Sequence, residues 1–169
     1  MKGSLTDMNS TALSIFSFLL IIVILWFTYS IANIIVTIIR CKKIDHSLQF
    51  CFNTKGKLVY TILAIVYIIG FLGGIAATIF GFLYNQEKFF LNGLNVAAFV
   101  SVVFAFALSS IVMIGRKNMM VGRMMIDYRK LKKVNFSLTN KVTFVYAQKD
   151  YSFFTYFVDI KSLRKKISG

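Results

Sequence analysis

The chain has 169 residues, 57% of them hydrophobic, with a mean hydropathy of +0.72 and a formal net charge of +14. Soluble globular domains are about 45–50% apolar, so an ordinary soluble domain is excluded. Three stretches, 8–39, 58–86 and 89–115, hold no charged residue, and each exceeds the ~20 apolar residues that cross a ~30 Å hydrocarbon core.

The predicted architecture is an α-helical membrane protein. Three transmembrane helices occupy residues 1–115, and a small antiparallel β module with a short basic closing helix follows in 116–169. The first apolar run is too long for a cleaved secretory signal and begins after a polar lead, so it is read as a retained span. The charges set a direction. Arg40, Lys42, Lys43, Lys55 and Lys57 face only Asp45 in the first loop, Glu87 and Lys88 cancel in the second, and the tail carries 13 Lys/Arg against Asp127, Asp150 and Asp159. Basic residues collect on the cytoplasmic side. The expected topology is multi-pass in the plasma membrane, with the N-terminus outside and the C-terminus cytoplasmic. Abundant Lys, Ile, Asn and Phe point to an AT-rich genome of the low-GC Gram-positive kind.

Span one is predicted over about 13–38. Trp26, Ser30, Asn33 and Thr37 recur at spacings of three and four, a polar face on one side of a helix. An amide facing lipid loses its hydrogen bonds to water. This face is therefore expected to meet another helix, as interhelical glue or as a contact for a peptide. Span two, about 58–83, aligns Gly70, Gly74 and Gly81. Gly70-x-x-x-Gly74 lets a neighbouring backbone approach closely. Span three, about 94–115, repeats Ala97, Ser101, Ala105 and Ser109 at intervals of four. The two stripes are expected to pack as a hairpin across a short connection at about 84–93; a homodimer interface is the rival use. None of the spans holds Asp, Glu, Lys, Arg or His, and the chain has no proline. Proton pumps and ion-coupled carriers place charges in their spans, and broken helices lean on Pro or Gly, so a stand-alone transporter is disfavoured.

In the tail the period changes. Residues 141–148 alternate Val142, Phe144 and Tyr146 on one side, and 153–160 is rich in aromatic and β-branched residues, so both read as strands. Turns are predicted at 138–141 and 148–151. A tight pair is predicted about Gly122, from 118–121 and 123–128, with a further strand over 131–136. Residues 161–167 read as a basic helix. The expected result is a single meander of four or five strands. The run from Met124 to Val134, with Ile126, Tyr128 and the basic segment Arg129, Lys130, Lys132 and Lys133, then two strands and a terminal Ser162-Leu163-Arg164 element, resembles small bacterial PH-like modules attached to transmembrane hairpins. The whole layout is similar to small membrane proteins that confer self-immunity to bacteriocins. That resemblance implies a peptide-directed protective role.

Signatures of catalysis are lacking: no zinc-protease, Walker or Rossmann pattern occurs, and His46 is the single histidine. Cys41, His46 and Cys51 have a C-x4-H-x4-C spacing, but zinc sites take four ligands with tighter cysteine spacing. They read as two reduced thiols and a solvated histidine, with no metal or cofactor. Arg40, Lys42, Lys43, Lys132, Lys133, Lys161, Arg164, Lys165 and Lys166 are candidates to meet anionic headgroups, each worth ~1 kcal/mol at such a surface, or to enforce topology. No recognition helix for nucleic acid is evident. The expected function is non-enzymatic binding of a protein or peptide at the membrane, with bacteriocin-type self-immunity as its specific form. The alternatives are an accessory subunit of a transporter or signalling complex, and an anionic-lipid-binding module.

Overall fold

The computed structural model describes residues 3–137 and 140–167, with side chains from residue 12 onward. Three long helices come first: α1 Gly3–Ile44, α2 Thr54–Leu83 and α3 Glu87–Ser109. Each contains a stretch long and apolar enough to cross a membrane, of 33, 30 and 23 residues respectively. A two-residue strand, β1 Gln49–Phe50, lies between α1 and α2. After α3 come β2 Val112–Ile114, β3 Asn118–Val121, β4 Met124–Asp127, a 3-10 turn Tyr128–Lys130, β5 Lys132–Phe136, β6 Lys141–Tyr146, β7 Lys149–Phe154 and α4 Ile160–Ile167. The chain divides into two compact units. One comprises Met1–Ile31 and Leu63–Ala105, the other Ala32–Ile62 and Phe106–Gly169.

In the first unit, α2 and α3 form a hairpin joined only by residues 84–86, where Gln86 N donates to Gly81 O at 2.8 Å and Asn85 takes a left-handed φ of 50°. Small residues make the contact. A Cβ on Gly74 would lie 2.8 Å from Gly93 O and 2.9 Å from Ala97 N, and one on Gly93 would lie 2.5 Å from Gly74 O. Gly70 faces Val100, and Gly81 faces the backbone of Phe90. Ala97, Ser101 and Ala105 are buried. The Ser101 hydroxyl is satisfied within its own helix by donating to Ala97 O at 2.7 Å. Tyr67 stacks on Phe104 with ring centroids 4.4 Å apart. Gly93, read from sequence as the end of the connection, is instead a central contact of the hairpin.

The third helix corrects the predicted span 94–115. It starts earlier, at Glu87, and ends at Ser109. Ser109, the last residue of the predicted small-residue stripe, is exposed and donates to Phe106 O at 2.7 Å. The apolar run beyond it belongs to β2, whose Val112 and Met113 are fully buried.

The second unit contains the β module. It is not confined to 116–169, because β1 and β2 belong to its first sheet. It is also not a single meander: one sheet has the order β1-β2-β3-β4 and the other β5-β6-β7, all antiparallel. Gly122, with φ 58°, makes the β3–β4 turn. Cys51, Val112, Met119, Ile126, Val142, Phe144, Phe153, Val158 and Leu163 form one buried core shared by both sheets and α4. The last predicted strand, 153–160, is also corrected. β7 is Lys149–Phe154, and the chain turns through 155–159 into α4. The preceding turn is Ala147–Gln148, both with positive φ (49° and 63°), rather than 148–151. The predicted turn at 138–141 falls partly outside the described residues.

The hairpin contact gives a testable expectation. Gly93→Ala and Gly74→Ala should each destabilise the hairpin by about 1–3 kcal/mol through overpacking against backbone. Gly73→Ala should be neutral or slightly stabilising, since a Cβ there meets nothing within 4 Å. Thermal unfolding in detergent of the three variants checks this.

Candidate functional site: a cationic cleft on the β module

The β2–β3 turn carries Arg116 and Lys117. It is closed by Gly115 N donating to Asn118 O at 2.8 Å and is tied to the end of α1 by side chains. The Asp45 carboxylate accepts from the Ser47 hydroxyl (2.5 Å), Ser47 N (3.0 Å) and Asn118 Nδ2 (3.3 Å), and Ser47 Oγ accepts from Arg116 N at 2.7 Å. A Cβ at Gly115 would sit 2.8 Å from Asp45 Oδ2, so only glycine admits the carboxylate. Across the ladder, Tyr128 N donates to Lys117 O at 3.1 Å. That bond holds the 3-10 turn, with Tyr128 and Arg129, against the β2–β3 turn.

The closing helix supplies the remaining wall. Asp159 caps α4, accepting from Ser162 Oγ at 2.6 Å, Lys161 N at 3.1 Å and Ser162 N at 3.4 Å. Such a cap satisfies amides that the first helical turn leaves unpaired. Leu163 anchors the helix in the core with no exposed surface. Its last turn brings Lys166 and Ile167 beside Arg116, Lys117, Tyr128 and Arg129, around a cleft of about 500 Å³. A second depression shares Arg129 and adds Lys130, Lys132, Val145, Tyr146, Ala147 and Gln148. Two acids are nearby: half-buried Asp127, 3.6 Å from the exposed Arg129 Nε, and Asp45, bonded to Ser47 and Asn118 in the adjoining turn. Arg guanidinium groups and Lys ammonium groups converging in this way suit carboxylate or phosphate oxygens. The lining offers no nucleophile and base in partnership.

Of the basic residues singled out from sequence, Lys166 enters the cleft and Lys132 its neighbour. Lys133, Lys161 and Lys165 are exposed elsewhere on the module, and Arg40 and Lys43 are exposed at the end of α1. Arg164 lies over the Phe136 ring at 5.0 Å and Lys42 over Phe50 at 5.3 Å, so both cations are partly engaged by aromatic faces. Arg116, Lys117 and Arg129 were missed. Their charge was visible, but only the strand register sets them opposite one another.

The predicted polar face of α1 is divided. Ser30, Asn33 and Thr37 are half-buried, and Thr37 Oγ1 donates to Asn33 O at 2.8 Å. Trp26 is 70% exposed, which corrects its expected place against another helix; among the described side chains of α1, Ile31, Ile34 and Cys41 are buried.

Cys41 and Cys51 are buried free thiols, and His46 is exposed. Among the described residues no three His, Cys, Asp or Glu side chains gather as a metal site. Burial pushes the Cys51 thiol up to about 11, so it stays protonated at neutral pH and is a poor nucleophile or ligand. Burial likewise pushes the Tyr128 phenol up to about 12. No family model, curated protein or solved structure matches the chain.

Two carboxylates are held below their usual range, Asp45 chiefly by the Ser47 hydroxyl and Asp159 chiefly by the Ser162 hydroxyl. A carboxyl that is more acidic when folded binds fewer protons than in the unfolded chain. Its contribution is therefore present above the unfolded value of ~3.9 and is lost as pH falls through the folded one. The β2–β3 turn and α4 should loosen below about pH 4. Amide hydrogen exchange of residues 115–118 and 160–167 across an acid titration should show this, and Asp45→Asn with Asp159→Asn should flatten the response.

Proposed function

We propose that this chain is a non-enzymatic multi-pass membrane protein that holds a cationic PH-like module at the cytoplasmic face and binds an acidic segment of a protein or peptide partner there. α1, α2 and α3 are the spans. The orientation is supported by the cations Arg40, Lys42, Lys43, Lys55 and Lys57 at the module-side ends of α1 and α2 and by those of the module itself, against the balanced Glu87 and Lys88 at the other turn. The PH-like reading is supported by seven strands in two antiparallel sheets, of four and three strands, closed by α4. On this reading the α2–α3 hairpin is an insertion between the first and second strands.

The observation that carries the binding role is the convergence of Arg116, Lys117, Arg129 and Lys166 on one cleft. Titration with an acidic peptide tests it. Arg116→Glu with Lys166→Glu should weaken binding about tenfold, the equivalent of ~1.4 kcal/mol, and added salt should weaken wild-type binding further. Unchanged affinity in the double variant would remove the cleft from the account.

Self-protection against a membrane-active peptide is the biological form of this binding that the layout resemblance implies. The turn at 84–86 is exposed, as are Asn92 and Asn95 on α3. In this form the peptide's contact with the membrane-spanning part falls on that end or on the exposed side of α1 that bears Trp26 and Tyr29. Deleting the gene should sensitise cells to the peptide encoded beside it, and unchanged sensitivity would end the self-protection form.

A further inference from the structure

The last residue of β7 and the segment after it present large apolar side chains outward: Phe154 is 62% exposed, Tyr156 59% and Phe157 41%. Nothing in the core requires them, since that strand end is already anchored by Phe153 and Thr155, both buried. Their backbone is nonetheless held firmly against the first turn of α2. Asn53 N donates to Phe157 O at 3.1 Å, and Asn53 Nδ2 donates to Tyr156 O at 3.0 Å. Asn53 Oδ1 meanwhile caps α2 by accepting from Gly56 N at 2.6 Å. Gly56 has no side chain, which admits the Phe157 carbonyl; a Cβ there would collide with it.

The aromatic rings form a continuous series. Phe157 meets Tyr60 edge-on with centroids 6.1 Å apart, Tyr60 stacks on Phe52 at 4.6 Å, and Phe52 stacks on Phe50 at 5.4 Å. Tyr60 also marks a depth, because its hydroxyl donates to Ala107 O at 3.1 Å in the last turn of α3. The exposed apolar surface continues along α2 through Leu58 and Ile62, and Lys55 and Lys57 lie in the same first turns. Exposed aromatic rings beside lysines, level with the end of one spanning helix and continuous with the apolar side of another, have the composition of a membrane–water interface.

We infer that Phe154, Tyr156 and Phe157 form a lipid seat: they enter the headgroup–acyl boundary of the bilayer and fix the β module on it. The occupant is phospholipid, because Phe157 packs on Tyr60 of α2, and Leu58 and Ile62 beside it are exposed apolar residues of a helix long and apolar enough to cross a membrane. This inference rests on the membrane reading and adds to it, since α1, α2 and α3 could cross a bilayer with the 154–157 segment left in water.

Trp26 is the only tryptophan, which makes the test direct. The full chain is reconstituted in phosphatidylcholine–phosphatidylglycerol vesicles, with and without lipids brominated at shallow or deep acyl positions. Native Trp26 reports on the spans. In a Trp26→Phe background, Phe154→Trp and Tyr156→Trp report on the seat independently, so one misfolded variant does not decide the result. Gln148→Trp, at the other end of β7 and about 20 Å away at strand rise, is the control. The expected result is blue-shifted emission and shallow-bromine quenching at 154 and 156, with neither at 148. If Trp26 is quenched while 154 and 156 emit and quench like 148, the seat is overturned and the membrane reading stands. Equal quenching at all three module positions also overturns it. An unquenched Trp26 overturns the membrane reading, and the seat with it.

Discussion

The fold of the second unit depends on the short segment between α1 and α2 being a strand of the β module rather than a loop. On one edge, Gln49 and Phe50 pair with Ile114 and Met113, and Cys51 N donates to Val112 O at 3.0 Å. On the other, Asp159 N donates to Cys51 O at 3.1 Å, Phe52 bridges Val158, and Asn53 reaches residues 156 and 157. Leu48 and Cys51, on either side of exposed Gln49 and Phe50, are buried, and pairing satisfies the backbone groups that accompany them inward. The segment also covers an edge of the first sheet, which would otherwise be open to other strands. The end of α1, the start of α2 and the end of α3 are therefore all fastened to one small core.

That fastening decides what the cationic residues can do. A basic tail on a flexible linker would be a diffuse counter-charge. Here residues 110–111 separate α3 from β2, and the charged side chains extend from paired backbone. Arg116 and Lys117 sit on a turn stapled by Asp45, Arg129 on a ladder extension and Lys166 on a capped helix. On the proposed reading these bonds hold the backbone of the cleft before binding, so an acidic segment would order only side chains. Burial pushes up both the Cys51 thiol and the Tyr128 phenol, which pack in and against the core.

Much of the fold was legible in the sequence, and the failures share a cause. Helices α1 and α2 were visible because charged residues bound their apolar runs. The C-terminal end of α3 was not, because Val112, Met113 and Ile114 are as apolar as a span while serving as a core strand. The β6–β7 turn was displaced because Ala147 and Gln148 adopt the left-handed geometry normally signalled by Asn-Gly or Asp-Gly. Gly93 was read as a loop residue because a helical glycine and a connecting glycine look alike in sequence. Trp26 was assigned to a packed face because its spacing with Ser30, Asn33 and Thr37 suggested one, yet Ile31 and Ile34 occupy the buried side. Gln49 and Phe50 carry almost no strand signal, since two residues show no period.

By itself the sequence determined three helices long and apolar enough to cross a bilayer, the side on which charge accumulates, the small-residue stripes and the strand character of the tail. These properties follow from local composition and periodicity, which a linear chain displays. Tertiary structure alone decided that a strand from the first connection completes the first sheet, that the module has two sheets around one core, and that Arg116, Lys117, Arg129 and Lys166 share a cleft. Those outcomes depend on hydrogen bonds and core contacts such as Cys51 to Val112 and Cys51 to Asp159, which join residues distant in sequence, and no local pattern encodes such pairings.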